Sequence, residues 1–133
     1  MKKILTLALA VFFVFGACKS DPKAEMQQMM TSYIKAIKSD TEKLKAAKNS
    51  KEFAVGITSL TATLKKMSAE GKAFAKKYPD LKGKEAPVEL KTLETEFTST
   101  MRAAMEIVIG GVKYMNDPEV KAAMDAFQNL KNE

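Results

Sequence analysis

The 133-residue sequence contains no histidine, which excludes a Ser-His-Asp triad, a Cys-His dyad, a His-based zinc site and a His-ligated haem within the chain. The groups that remain for chemistry are few. Acidic pairs stand at Asp40 and Glu42, Glu94 and Glu96, and Asp117 and Glu119. Two residues apart on a helix, side chains point about 200° apart, so the first two pairs do not converge on one proton or metal. The third pair falls at a helix start, and the Glu-x-x-His motifs of a di-metal bundle are absent. Met26, Met29 and Met30 cluster on adjacent turns, and soft thioethers can ligate Cu(I). With no His and no second Cys to complete a site, packing is preferred over ligation for these three. Hydroxyls are plentiful, among them Thr58, Ser59, Thr61 and Thr63, yet no fixed spacing sets a base beside one. A Ser-Lys arrangement could arise only from residues distant in sequence. No catalytic residue and no cofactor is expected.

Cys18 is the only cysteine, so an internal disulfide is impossible. It closes a segment in which Met1-Lys2-Lys3 is positive, Ile4 to Phe15 is apolar except for Thr6, and Gly16-Ala17 are small. This is the pattern of a secretion signal, and its apolar run is about half the ~20 residues that a membrane-spanning helix needs. Phe15-Gly16-Ala17-Cys18 resembles the lipobox of bacterial lipoproteins, with Phe15 where that class usually carries Leu. The resemblance implies cleavage before Cys18, a diacylglycerol thioether on its sulfur and an acylated amine, such as a palmitate. It covers residues 1 to 18 and concerns processing alone. The expected organisation is a cleaved signal peptide over 1–17, a short lipid-anchored tether over 18–21 and a helical bundle domain over 22–133.

The elements that would position any site are marked by four prolines. Asp21-Pro22 and Asp117-Pro118 each place a capping carboxylate before a Pro at the first helical position, where its missing N–H costs nothing. Ala86-Pro87-Val88-Glu89 reads as a third start, and Pro79 ends the preceding helix after Tyr78. At Asn49-Ser50-Lys51-Glu52 either Asn49 or Ser50 can cap, with Glu52 reaching back to orphan N–H groups.

Between these marks the apolar period is helical. The second segment steps from Phe53 through Ile57, Leu60, Leu64, Met67, Gly71 and Phe74 to Tyr78 in threes and fours. The first segment's stripe weakens at polar Asp40 and Thr41. The third is widened by Met105, Ile107, Ile109 and Val112, which predicts the most buried helix. Gly110-Gly111 within it predicts close approach of a neighbouring helix backbone, or a ligand notch. The fold class that follows is all-α: an antiparallel helical bundle of three long helices plus a shorter C-terminal helix.

Charge is uneven along the chain. Residues 35–84 hold 13 lysines against five acids, whereas residues 85–133 hold five basic residues against nine acidic ones. Complementary solvated faces of neighbouring helices account for this most simply. A sharper reading is a basic interaction face of Lys35, Lys38, Lys45, Lys48, Lys65, Lys66, Lys72, Lys76 and Lys77 that meets a polyanion or anionic headgroups. Nucleic acid is disfavoured by the export signal and by a single Arg. The expected function is a non-catalytic interaction module, anchored through Cys18 in the bacterial cell envelope, most simply in the outer membrane. It would present helix faces or the loop around residues 79–87 to a protein partner or polyanion. A periplasmic chaperone or stress-response module, and a small-ligand or Cu(I) carrier, are the alternatives. The sequence leaves the oligomeric state and the membrane face open.

Overall fold

The computed structural model describes residues 21–130, so the signal peptide and Cys18 lie outside the described residues. Among the described residues there is no strand, and the chain is an all-α bundle of four helices. They are α1 (Pro22–Ala46), α2 (Ser50–Lys77), α3 (Lys91–Gly110) and α4 (Pro118–Asn129). Single 3₁₀ turns lie over Pro79–Leu81, Val88–Leu90 and Gly111–Tyr114.

The helix starts follow from capping chemistry. Asp21 accepts from the Lys23 amide at 3.1 Å and Asp117 from the Glu119 amide at 2.9 Å, each with Pro in the first turn. At the turn between α1 and α2, Asn49 is the cap, accepting from the Glu52 amide at 2.9 Å. The Glu52 carboxylate in turn accepts from the Lys48 amide at 2.8 Å and from Asn49 Nδ2 at 3.1 Å, so cap and carboxylate hold each other across the turn. Pro87 leads into the 3₁₀ turn rather than directly into a helix, and α3 begins only at Lys91. Gly83 lies in the left-handed region at φ +78°, so it turns the chain where a side chain would be strained.

Consecutive helices run antiparallel. Lys23 meets Glu89 and Lys38 meets Glu96, so α1 and α3 run in the same direction side by side. Ser50 meets Asp117 while Leu64 and Phe127 line one groove further along, so α2 and α4 also run together. The closest backbone packing is α1 with α3, α2 with α4, and α1 with α2. The core between them is built on Ile37, Ile57, Leu60, Val108 and Val120, all fully buried. Each such side chain stabilises the fold by roughly 1.5–3 kcal/mol.

The third helix is not the most buried. Only Thr100, Ala104 and Val108 of α3 are buried, against six residues each in α1 and α2. Its closest partner is α1 alone, so a narrow strip is covered, and Ile109 and Val112 on the widened side stand 63% and 66% exposed. The expectation of close backbone approach at Gly110-Gly111 is also corrected. A Cβ on Gly111 would lie 2.0 Å from Phe53 Cζ, so an aromatic ring rather than a backbone fills that space, while Gly110 faces open space.

The neighbouring helix comes close instead at Gly56, where a Cβ would lie 3.5 Å from the Leu44 Cα of α1 and 2.7 Å from its Cδ2. Gly56→Ala forces that buried leucine aside. The expected cost is about 1–2 kcal/mol, net of the gain in helix propensity, read as a lowered midpoint in urea denaturation with an unchanged slope.

Candidate functional site

Two features of the bundle could support function: a polar cluster between α1 and α2, and an apolar groove beside α4. The first is centred on Asp40, which is 3% exposed. Its Oδ1 accepts from Ser59 Oγ at 2.6 Å and from Lys43 Nζ at 3.2 Å, and its Oδ2 accepts from Thr63 Oγ1 at 2.6 Å. Lys43 Nζ also donates to Ser59 Oγ at 3.1 Å. Residues distant in sequence have thus brought a serine, a lysine and a carboxylate together. Burial alone would raise the Asp40 carboxyl, but the bonds from Ser59, Thr63 and Lys43 and the lysine's charge hold it below the usual range. A carboxylate so stabilised is a poor proton acceptor, and Ser59 spends its proton on it. Lys43, half exposed and ion-paired with the same oxygen, reaches Ser59 as a donor. The arrangement therefore fixes α1 against α2 and leaves the serine unactivated.

The other acidic pairs diverge. Glu42 pairs with Lys45 at 3.0 Å on the surface, Glu96 with Lys38 at 2.6 Å, and Asp117 caps α4 while accepting from Ser50 Oγ at 2.6 Å. The Ser50 bond, followed by the Glu119 amide, lowers the Asp117 carboxyl. Tyr33 and Glu70 form a second tie between α1 and α2, and burial with the acceptor carboxylate pushes the Tyr33 hydroxyl upward. Among the described residues no buried side-chain polar atom lacks a partner, and no group of three or more Asp, Glu, Cys or His is placed to hold a metal ion. Met26, Met29 and Met30 are half-buried in the first turns of α1, with Met26 in the wall of a furrow that Leu81 and Pro87 also line.

The groove lies beside the last described turn of α4. At 1.5 Å per residue, α2 with 28 residues is about 42 Å long and α4 with 12 is about 18 Å. The apolar stripe of α2 continues past the end of its partner. Phe53, Ile57 and Leu60 are buried, whereas Leu64, Met67 and Phe74 are only half-buried. Beside them lies a groove of about 440 Å³ with Leu64, Met67 and Ala69 of α2, Met105 of α3, and Phe127 and Leu130 from the end of α4. Lys65, Ser68 and Lys72 complete its lining.

The nine candidate lysines are all exposed, but they do not share one side of the bundle. Lys38 and Lys45 line the furrow between α1 and α3, and Lys65 and Lys72 line the groove beside α4. Lys66 approaches Glu70 at 3.8 Å, and Lys77 pairs with Glu25 of α1 at 2.7 Å, which raises the Lys77 amine. Lys35, Lys48 and Lys76 are spread along α1, the α1–α2 turn and the last turn of α2.

No protein-family model, curated protein or solved structure matches the chain. Among the described residues, no helix is long and apolar enough to cross a membrane.

The sequence alone missed both features. Asp40 was visible as a polar residue at a stripe position, and Ser59 and Thr63, four apart on the next helix, were the signal of its partners. The signal of the groove was the unequal length of the second and fourth periodic segments, which opens a surface only when the two lie side by side.

Proposed function

We propose that this chain is a lipid-anchored, non-catalytic binding module of a bacterial cell envelope, and that the groove beside α4 receives an apolar segment of a protein partner flanked by acidic residues. Phe15-Gly16-Ala17-Cys18 supports the anchor. The observation that carries the binding reading is the half-covered α2 stripe: Leu64 and Met67 form an apolar floor beyond the last turn of α4, with Lys65 and Lys72 beside it. A helical or extended segment fills such a groove with its apolar side, and acidic flanks complement the lysines. Met67 and Met105 give the walls adaptable, polarisable contacts.

A photo-cross-linking amino acid at position 67, introduced in the native host, tests this. The expected result is a discrete adduct the size of a protein, greatly weakened in a Lys65→Glu, Lys72→Glu double variant and absent when the probe replaces exposed Ser32 of α1. Equal labelling from both positions, or no adduct from position 67, overturns the reading. An adduct of lipid size overturns the protein partner and favours the carrier alternative.

A further inference from the structure

We propose that the groove beside α4 receives an amphipathic helix of a second protein, lying in line with α4 between α2 and α3 and coming closest to α2 at Gly71; the proposal rests on the reading of that groove as a protein-binding site. The fold already shows what the space between those two helices accepts. Val120 and Phe127 of α4 are buried in one core with Ile57 and Leu60 of α2 and Ala104 and Val108 of α3. Past them both walls continue with apolar side chains that are only half-buried: Leu64, Met67 and Phe74 on α2, and Phe97, Met101 and Met105 on α3. Steps of three, four and seven residues keep each set on one side of its helix. From Leu64 to Lys77, the end of α2, this wall runs for about 20 Å, the length of a helix of about 13 residues.

Gly71 adds a separate observation. It stands in the α2 stripe between Met67 and Phe74, where a Cβ would meet nothing within 4 Å, whereas Ile57 and Leu60 of the same stripe are fully buried. Glycine weakens a helix interior relative to alanine, and at 71 neither a positive φ nor a neighbouring group demands it. Gly56 and Gly111 differ, since a leucine and an aromatic ring of the chain itself fill the space beside them. A glycine facing an open apolar groove lets the backbone of an incoming helix approach closely. Any side chain at 71 would hold it off.

Charge along the two walls sets the edges of that helix. On α2, residues 64–77 hold five lysines against Glu70 alone, and Glu70 is turned to α1, where it accepts from the Tyr33 hydroxyl. Lys65, Lys72 and Lys76 recur at seven and four residues and so share one edge of α2. The first two line the groove, and no acid does. On α3, residues 91–106 hold Lys91 and Arg102 against three glutamates, and Asp125 stands near the end of α4. Together these walls carry seven basic groups against five acidic ones, with the positive excess confined to the α2 side. A helix whose acidic residues line the edge facing α2 matches that distribution.

The test uses the full chain in its native host, with an aromatic photo-cross-linking residue in place of Met67 or, separately, of Phe74, and mass spectrometry of the partner peptide captured from each. The two positions lie about 10 Å apart along α2, which is about seven residues of a helix but about three of an extended strand. The two captured sites are expected about seven residues apart on one partner, in a segment with more acidic than basic residues. Sites about three residues apart, or a segment without the acidic excess, overturn this helix and leave the groove reading standing. An adduct of twice the chain's own mass assigns the groove to a second copy and overturns the separate partner. No protein adduct from either position overturns the groove reading and the helix with it. Gly71→Ala separates binding from folding: it is expected to raise Tm by about 2–4 °C while lowering the adduct yield from position 67 several-fold. Undiminished yield from that variant overturns the close approach at Gly71.

Discussion

Asp40→Ala is expected to lower the stability of the bundle at pH 7 by about 3 kcal/mol, a fall in Tm on the order of 12 °C for a domain of this size. The carboxylate is 3% exposed and accepts three side-chain hydrogen bonds, two of them from α2. Truncation leaves Ser59 and Thr63 without their acceptor and Lys43 without its ion pair. The loss should depend on pH in a defined direction. The folded carboxyl lies below its ordinary 3.8, so its contribution is complete above the unfolded-state value and is lost as the pH falls through the folded one. The stability difference between wild type and Asp40→Ala therefore shrinks on acidification below about pH 4. Urea denaturation of both proteins at pH 7 and at pH 3 measures it. A difference under 0.5 kcal/mol at pH 7 would mean that the cluster contributes nothing net.

How much of this was legible in the sequence depends on the range of the interaction. Asp21, Asn49 and Asp117 cap their helices as local pattern alone requires, because a cap is a contact between residues two or three apart. The all-α class follows equally from the stepping of Phe53, Ile57 and Leu60, which turn one face to the core. Which helix lies beside which is a different kind of information. The third segment's wide apolar face suggested deep burial, but its closest packing is against α1 alone, and Ile109 was left to solvent. Pairing also made the Asp40 cluster: Asp40 and Glu42 read as an unproductive acidic pair along one helix, and the partners that matter came from the next. The same rule governs the groove. Nothing in the sequence around Leu64 says that its stripe outlasts α4, and only the side-by-side course of the two helices turns the difference in length into an open surface.

The adjacent glycines at 110 and 111 are expected to respond to the same substitution with opposite signs. Gly110 is the last residue of α3, has helical φ and ψ of −65° and −14°, and faces open space. Alanine there restricts the unfolded chain without strain in the folded one, so Gly110→Ala should stabilise by about 0.5–1 kcal/mol. Gly111 also has a negative φ, −73°, so its backbone does not demand glycine. What demands it is Phe53, whose Cζ and Cε1 would lie 2.0 Å and 2.3 Å from a new Cβ. Phe53 is 3% exposed and its centroid is 5.0 Å from that of Tyr114, so displacing the ring disturbs a buried aromatic pair. Gly111→Ala should therefore destabilise by about 2–3 kcal/mol. Shortening the obstacle identifies the cause. Phe53→Leu removes the ring atoms that collide, so the double variant with Gly111→Ala should be less destabilised than the two single losses added together, by about 1 kcal/mol or more. Strict additivity in thermal or urea unfolding would place the cost of alanine at 111 elsewhere than on the ring.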